Sequence, residues 1–104
     1  MGTDRLAALQ AMLERKPDDT RLQFGVAVEL LRQGKLEEGA RALRAYLEAA
    51  DDEGNAWGRL GQALQELGRD EEARAAYEKG VEAALRHDHP TMAEEFREIL
   101  GELT

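Results

Sequence analysis

Residues 54–87 read GNAWGRLGQALQELGRDEEARAAYEKGVEAALRH, and this stretch decides the fold. Trp57, Leu60, Gly61, Leu64 and Leu67 recur at helical spacing and make one apolar stripe. Gly68 then stops the helix, as glycine does at a left-handed cap. Asp70, Glu71 and Glu72 place negative charge at the positive end of the next helix. Ala73, Ala76, Tyr77, Val81 and Ala84 make the buried stripe of that helix. Gly61 costs about 1 kcal/mol against alanine in a helix interior, so its presence predicts the close approach of a neighbouring helix. Neither helix can bury its stripe alone, and the hairpins must stack.

Gly34 precedes Gly68 by 34 residues, which prompts a test for an internal repeat. Laid over residues 54–87, residues 20–53 match at eight of 34 positions, including Leu30/Leu64, Gly34/Gly68, Ala42/Ala76 and Ala49/Ala83. Val26/Leu60, Ala27/Gly61, Lys35/Arg69 and Leu43/Tyr77 match in kind. The matches fall at small and apolar positions, where helices would touch. Pro17 and Pro90 mark two further boundaries, because the residue before proline avoids helical geometry. These marks divide the chain into about six helices: 3–16, 19–33, 36–50, 53–67, 70–86 and 90–102.

Composition agrees with an all-α chain. Its 104 residues amount to one domain, 1–104. Leu, Ala, Arg and Glu dominate, β-branched residues are scarce, and five residues are aromatic. The formal net charge is −8 and no run of Lys or Arg occurs, so nucleic acid and anionic membrane are not expected as partners. Without cysteine there is neither a disulfide nor a thiolate metal site. The longest apolar run is too short to span a bilayer, and Met1–Leu6 shows no secretory pattern. The expected location is the cytoplasm.

The second unit resembles the tetratricopeptide repeat. Trp57-x-x-Leu60-Gly61-x-x-Leu64, Gly68 and Ala73-x-x-x-Tyr77 carry the resemblance, with Leu64 where the pattern often has Tyr and Leu85 where it often has Pro. Residues 20–53 form a weaker first unit, keeping Ala27, Leu30, Gly34 and Leu43 but holding Gln23 and Gly39 at the large-aromatic and small-residue places. Leu9, Met12, Leu13 and Pro17 match the second helix of a preceding unit, which makes 3–16 a half-repeat and leaves 90–102 as a closing cap. The resemblance implies an αα-solenoid whose concave face takes a peptide or helix of a partner protein. Some relatives grip a C-terminal carboxylate with a cation and an amide there. Phe24 and Val28 stand in the matching places of the first unit, so that clamp is not carried over.

Helix 19–33 holds the sharpest hint of a site. Leu22, Val26, Ala27 and Leu30 form the packing stripe, while Phe24, Val28 and Leu31 form a second one nearly opposite. A helix apolar on two faces is buried on both or offers one to a partner. The functional reading makes Phe24, Val28 and Leu31 the floor of a groove with Arg21, Arg32, Asn55, Arg59, Gln62 and Gln65 at its edges. Self-association as a homodimer and packing within the chain are the alternatives. Met92, Phe96 and Ile99 of the last helix fall on the groove face in strict register, and on the packing face if one residue is inserted near Pro90. The second arrangement is preferred, since a cap must bury its only stripe.

Little points to catalysis. His87, Asp88 and His89 are acceptable zinc ligands by type, but their spacing is short and no further ligand is evident. Asp51–Asn55 lacks the alternating ligands of a calcium loop. Phosphate loops and nucleophile elbows are absent. The sequence therefore predicts a non-enzymatic adaptor without cofactor or metal. A self-associating structural module is the alternative, and a metal-dependent enzyme or sensor is the remote one.

Overall fold

A computed structural model describes the backbone of residues 2–103 and the side chains of residues 5–103. The described residues form six helices and no strand: α1 (Gly2–Arg15), α2 (Thr20–Arg32), α3 (Leu36–Ala49), α4 (Asn55–Glu66), α5 (Asp70–Arg86) and α6 (Pro90–Glu102). The fold is all-α, built from helical hairpins in chain order, as an αα-solenoid requires. The last two helices have the bounds the sequence predicts. The first helix keeps its expected length one residue earlier, and α2, α3 and α4 are one to three residues shorter, because expected end residues serve as caps: Asp19 and Gln33 flank α2, Ala50 ends α3, and Gly54 and Leu67 flank α4. The chain divides into two compact units, residues 1–50 and 51–104.

In the first unit α2 packs against both α1 and α3. Leu6, Val26 and Leu30 form a buried cluster with Leu9, Leu13 and Ala42 packed around it. Asp19 starts α2, its Oδ1 accepting from the N–H groups of Arg21 and Leu22 at 3.0 and 3.2 Å. Such a cap contributes about 1 kcal/mol. The core also takes in a charge: Glu29 is 2% exposed, with Arg5 Nε 3.2 Å and Arg32 Nη1 3.6 Å from its Oε1.

In the second unit α5 packs against both α4 and α6. Leu60, Leu64, Ala73, Tyr77 and Ala84 are buried, as the two stripes predict. The close approach expected at Gly61 is made by a ring: a Cβ there would stand 2.7 Å from Cε2 and Cζ of Tyr77. Gly58 and Gly80 make room in the same way for Phe96, whose ring atoms would lie 2.7 and 2.8 Å from added Cβ atoms. One repeat earlier the corresponding residues are Phe24 and Tyr46. Those two rings fill the space themselves, with centroids 5.1 Å apart.

Three helix ends share one hydrogen-bond pattern. Gly34 N–H donates to Leu31 and Lys35 N–H to Leu30, both at 3.0 Å. Gly68 and Arg69 repeat this onto Gln65 and Leu64, and Asp88 and His89 onto Leu85 and Ala84. Gly34 and Gly68 have φ of +79° and +77°, which confirms them as left-handed caps. Asp88 adopts the same conformation without being glycine, with φ of +64°.

Candidate functional site

The residues singled out from the sequence fall into both units. In the first, Phe24 lies half-buried against Tyr46 and, with Thr20 and Arg21, lines a small hollow of about 150 Å³. Leu31 turns onto α3, where its Cδ2 would stand 2.5 Å from a Cβ at Gly39. Val28 is half-buried, Arg21 and Arg32 are exposed, and Arg32 approaches Glu29. The second stripe of α2 thus has an occupant within the unit along part of its length. α1 takes one face, while Phe24 and Leu31 meet α3.

The second unit holds a larger open hollow of about 460 Å³. Its α4 wall is Asn55, Gly58, Arg59 and Gln62, and its α6 wall is Met92, Glu95, Phe96 and Ile99, with Tyr77 of α5 between them. The α4 wall is polar because Asn55, Arg59 and Gln62 recur at i, i+4 and i+7, away from the buried Leu60–Leu64 stripe. Arg59 Nε donates to Asn55 Oδ1 at 3.0 Å, which fixes the guanidinium along the wall. The α6 wall is mainly apolar. Phe96 packs into α4 and α5 and is 9% exposed, while Met92 and Ile99 are half-buried. Phe96 thus takes the preferred packing role, while Met92, Phe96 and Ile99 all line the hollow.

Gln65 has a structural part. Its Oε1 accepts a 2.5 Å hydrogen bond from the Tyr77 hydroxyl. Burial pushes the Tyr77 phenol above its ordinary value, and the negative charge of Glu66 adds to this.

The acidic and histidine segments meet each other. Arg86 donates to Asp51 Oδ1 at 2.8 Å, and His87 Nε2 lies 3.1 Å from Asp51 Oδ2. His89 Nε2 lies 3.3 Å from Glu53 Oε2. Hydrogen bonds from Arg86 and then His87 hold the Asp51 carboxyl below its ordinary 3.8. Among the described residues, no three His, Cys, Asp or Glu side chains are placed to hold a metal ion. Asp52 is 8% exposed, and its Oδ2 accepts from the N–H groups of Gly54 and Ala56 at 2.8 Å each. It satisfies the start of α4 from two residues before the cap.

Sequence reasoning did not find Tyr77 and Glu95 as lining residues, nor Thr20 and Tyr46. The available signal was a pair of interior helical glycines, Gly58 and Gly80, one repeat after two aromatics.

The family model of the tetratricopeptide repeat matches residues 54–87. A TPR repeat-containing protein of Pseudomonas aeruginosa is 30% identical over 98 residues, covering 94% of this chain and 93% of that protein. A Bordetella parapertussis protein of known solution structure aligns with a TM-score of 0.79 and 28% identity, over 94% of this chain and 85% of that one.

Proposed function

The chain belongs to the tetratricopeptide-repeat family, whose repeats generally mediate protein–protein interaction, and on that premise we propose that it is an adaptor holding a peptide or helix of a partner in the hollow between α4 and α6. The observation that carries this reading is the pairing of a polar α4 wall with an apolar α6 wall on which Met92 and Ile99 are half-buried. A partner's apolar side chain would lie on Met92, Phe96 and Ile99, and its polar groups would meet Asn55, Arg59 and Gln62. Apolar contact supplies affinity, and a few placed polar groups supply orientation. The Phe24–Arg21 hollow is smaller and its aromatic ring already packs at a tilt against Tyr46, which favours the second unit. The proposed place of action is the cytoplasm.

Immobilised protein should capture a partner from native extract. Ile99→Asp and Arg59→Glu should abolish capture while helical circular dichroism is kept. Phe24→Asp should spare it. Capture that survives both changes in the hollow would overturn the assignment. Homodimer formation is the second reading, and sedimentation equilibrium checks it: a monomer throughout the micromolar range contradicts it.

A further inference from the structure

Two segments lead into the walls of the hollow. Residues 51–54 enter α4, and residues 87–89 join α5 to α6. Side chains tie these segments at two separate points, His87 to Asp51 and His89 to Glu53. The turn that presents both imidazoles has Asp88 in the left-handed conformation. Gly34 and Gly68 occupy that place in the other two turns, whereas a non-glycine residue there carries a conformational cost. Packing joins the ends of the two walls as well, since a Cβ on Gly54 would stand 2.7 Å from the Met92 sulfur.

We infer that His87 and His89, each set against a carboxylate of the 51–53 segment, form a proton-operated clasp that governs how closely α6 is held to the start of α4, and so the opening of the hollow. An imidazole ordinarily gains its proton near pH 6.5. Once charged, each ring attracts its carboxylate; neutral, it keeps at most a hydrogen bond. Asp51 stays anionic through this range because Arg86 and His87 hold its carboxyl below 3.8. Charged groups beside the clasp include Arg86 at the end of α5, which bonds Asp51 whatever the state of His87, Asp88 in the turn and the buried Asp52, whose Oδ2 is committed to the α4 N–H groups. Neither α4 nor α6 has an acidic residue in its first turn to compete for the imidazoles. Protonation of the two rings therefore tightens the clasp, and their deprotonation loosens it. Exposed pairs of this kind change an equilibrium by about 2- to 5-fold each.

The clasp goes beyond the adaptor reading, and its test needs no partner. Amide hydrogen exchange of the full chain is measured at about pH 5 and about pH 8, corrected for intrinsic rates. Protection of α6 is expressed relative to α2, which lies in the other unit and serves as the internal control. The wild-type ratio should be about 2- to 5-fold higher per pair at the acid pH. His87→Gln with His89→Gln should flatten the response, as should Asp51→Asn with Glu53→Gln. An unchanged wild-type ratio, or a response that persists in either double variant, overturns the inference.

Discussion

A Cβ placed on Gly58 would stand 2.7 Å from the Cζ of Phe96, so the glycine in α4 and the ring from α6 occupy one shared space. The ring is nearly buried and has no free end to swing away. Gly58→Ala should therefore lower stability by about 1–2 kcal/mol, even though alanine is the better helix former. Gly25 is the control. An added Cβ there meets Leu9 at an ordinary 3.6 Å, and Gly25→Ala should gain about 0.5–1 kcal/mol. Denaturant unfolding of the two variants reads the difference.

Glu29 offers a second test. It is a buried carboxylate in the first unit, and the corresponding residue one repeat later is the buried Ala63. Replacing a buried ion pair with apolar packing is often neutral, whereas removing Arg5 leaves the buried Glu29 with only the longer Arg32 contact. Arg5→Ala should destabilise the wild type yet have no effect in a Glu29→Ala background. A double-mutant cycle measured by thermal unfolding checks this coupling.

The sequence made the repeat visible, together with its caps and its packing stripes, because each rests on spacing along one helix. Gly34, Gly68, Pro90 and the Leu60–Leu64 stripe needed no knowledge of neighbours. Phe24 and Leu31 did. A helical wheel shows that α2 is apolar on two faces, but not that α1 and α3 flank it. Glu29 was hidden for the same reason, since its charge partner Arg5 comes from another helix. Asp52 reads as one acid among three, and only its aim at the N–H groups of α4 distinguishes it.

That aim has its own consequence. Asp52→Ala removes the acceptor of two buried N–H hydrogen bonds at the start of α4 and should cost about 1–2 kcal/mol. Asp88→Gly should act in the opposite direction, gaining up to about 1 kcal/mol by relieving the left-handed residue. Urea midpoints at constant m-value report both.

Alkaline titration probes the α4–α5 contact. The phenol of Tyr77 is raised above its ordinary 10.0, chiefly by burial. A raised folded value leaves its stabilisation whole below 10.0, and the stabilisation is lost as pH climbs through the higher folded value. Tyrosinate absorbance should show a component titrating above that point, and Tyr77→Phe should remove it.

The adaptor assignment is tested most directly by a photo-crosslinking residue placed at Gln62, inside the hollow, with the exposed Gln10 of α1 as the reference position. In native extract the label at 62 should yield a discrete crosslinked partner that is lost with Ile99→Asp, and the label at 10 should yield none. Equal crosslinking from both positions, or none from 62 under conditions where the protein captures its partner, would contradict the assignment of the α4–α6 hollow as the binding site.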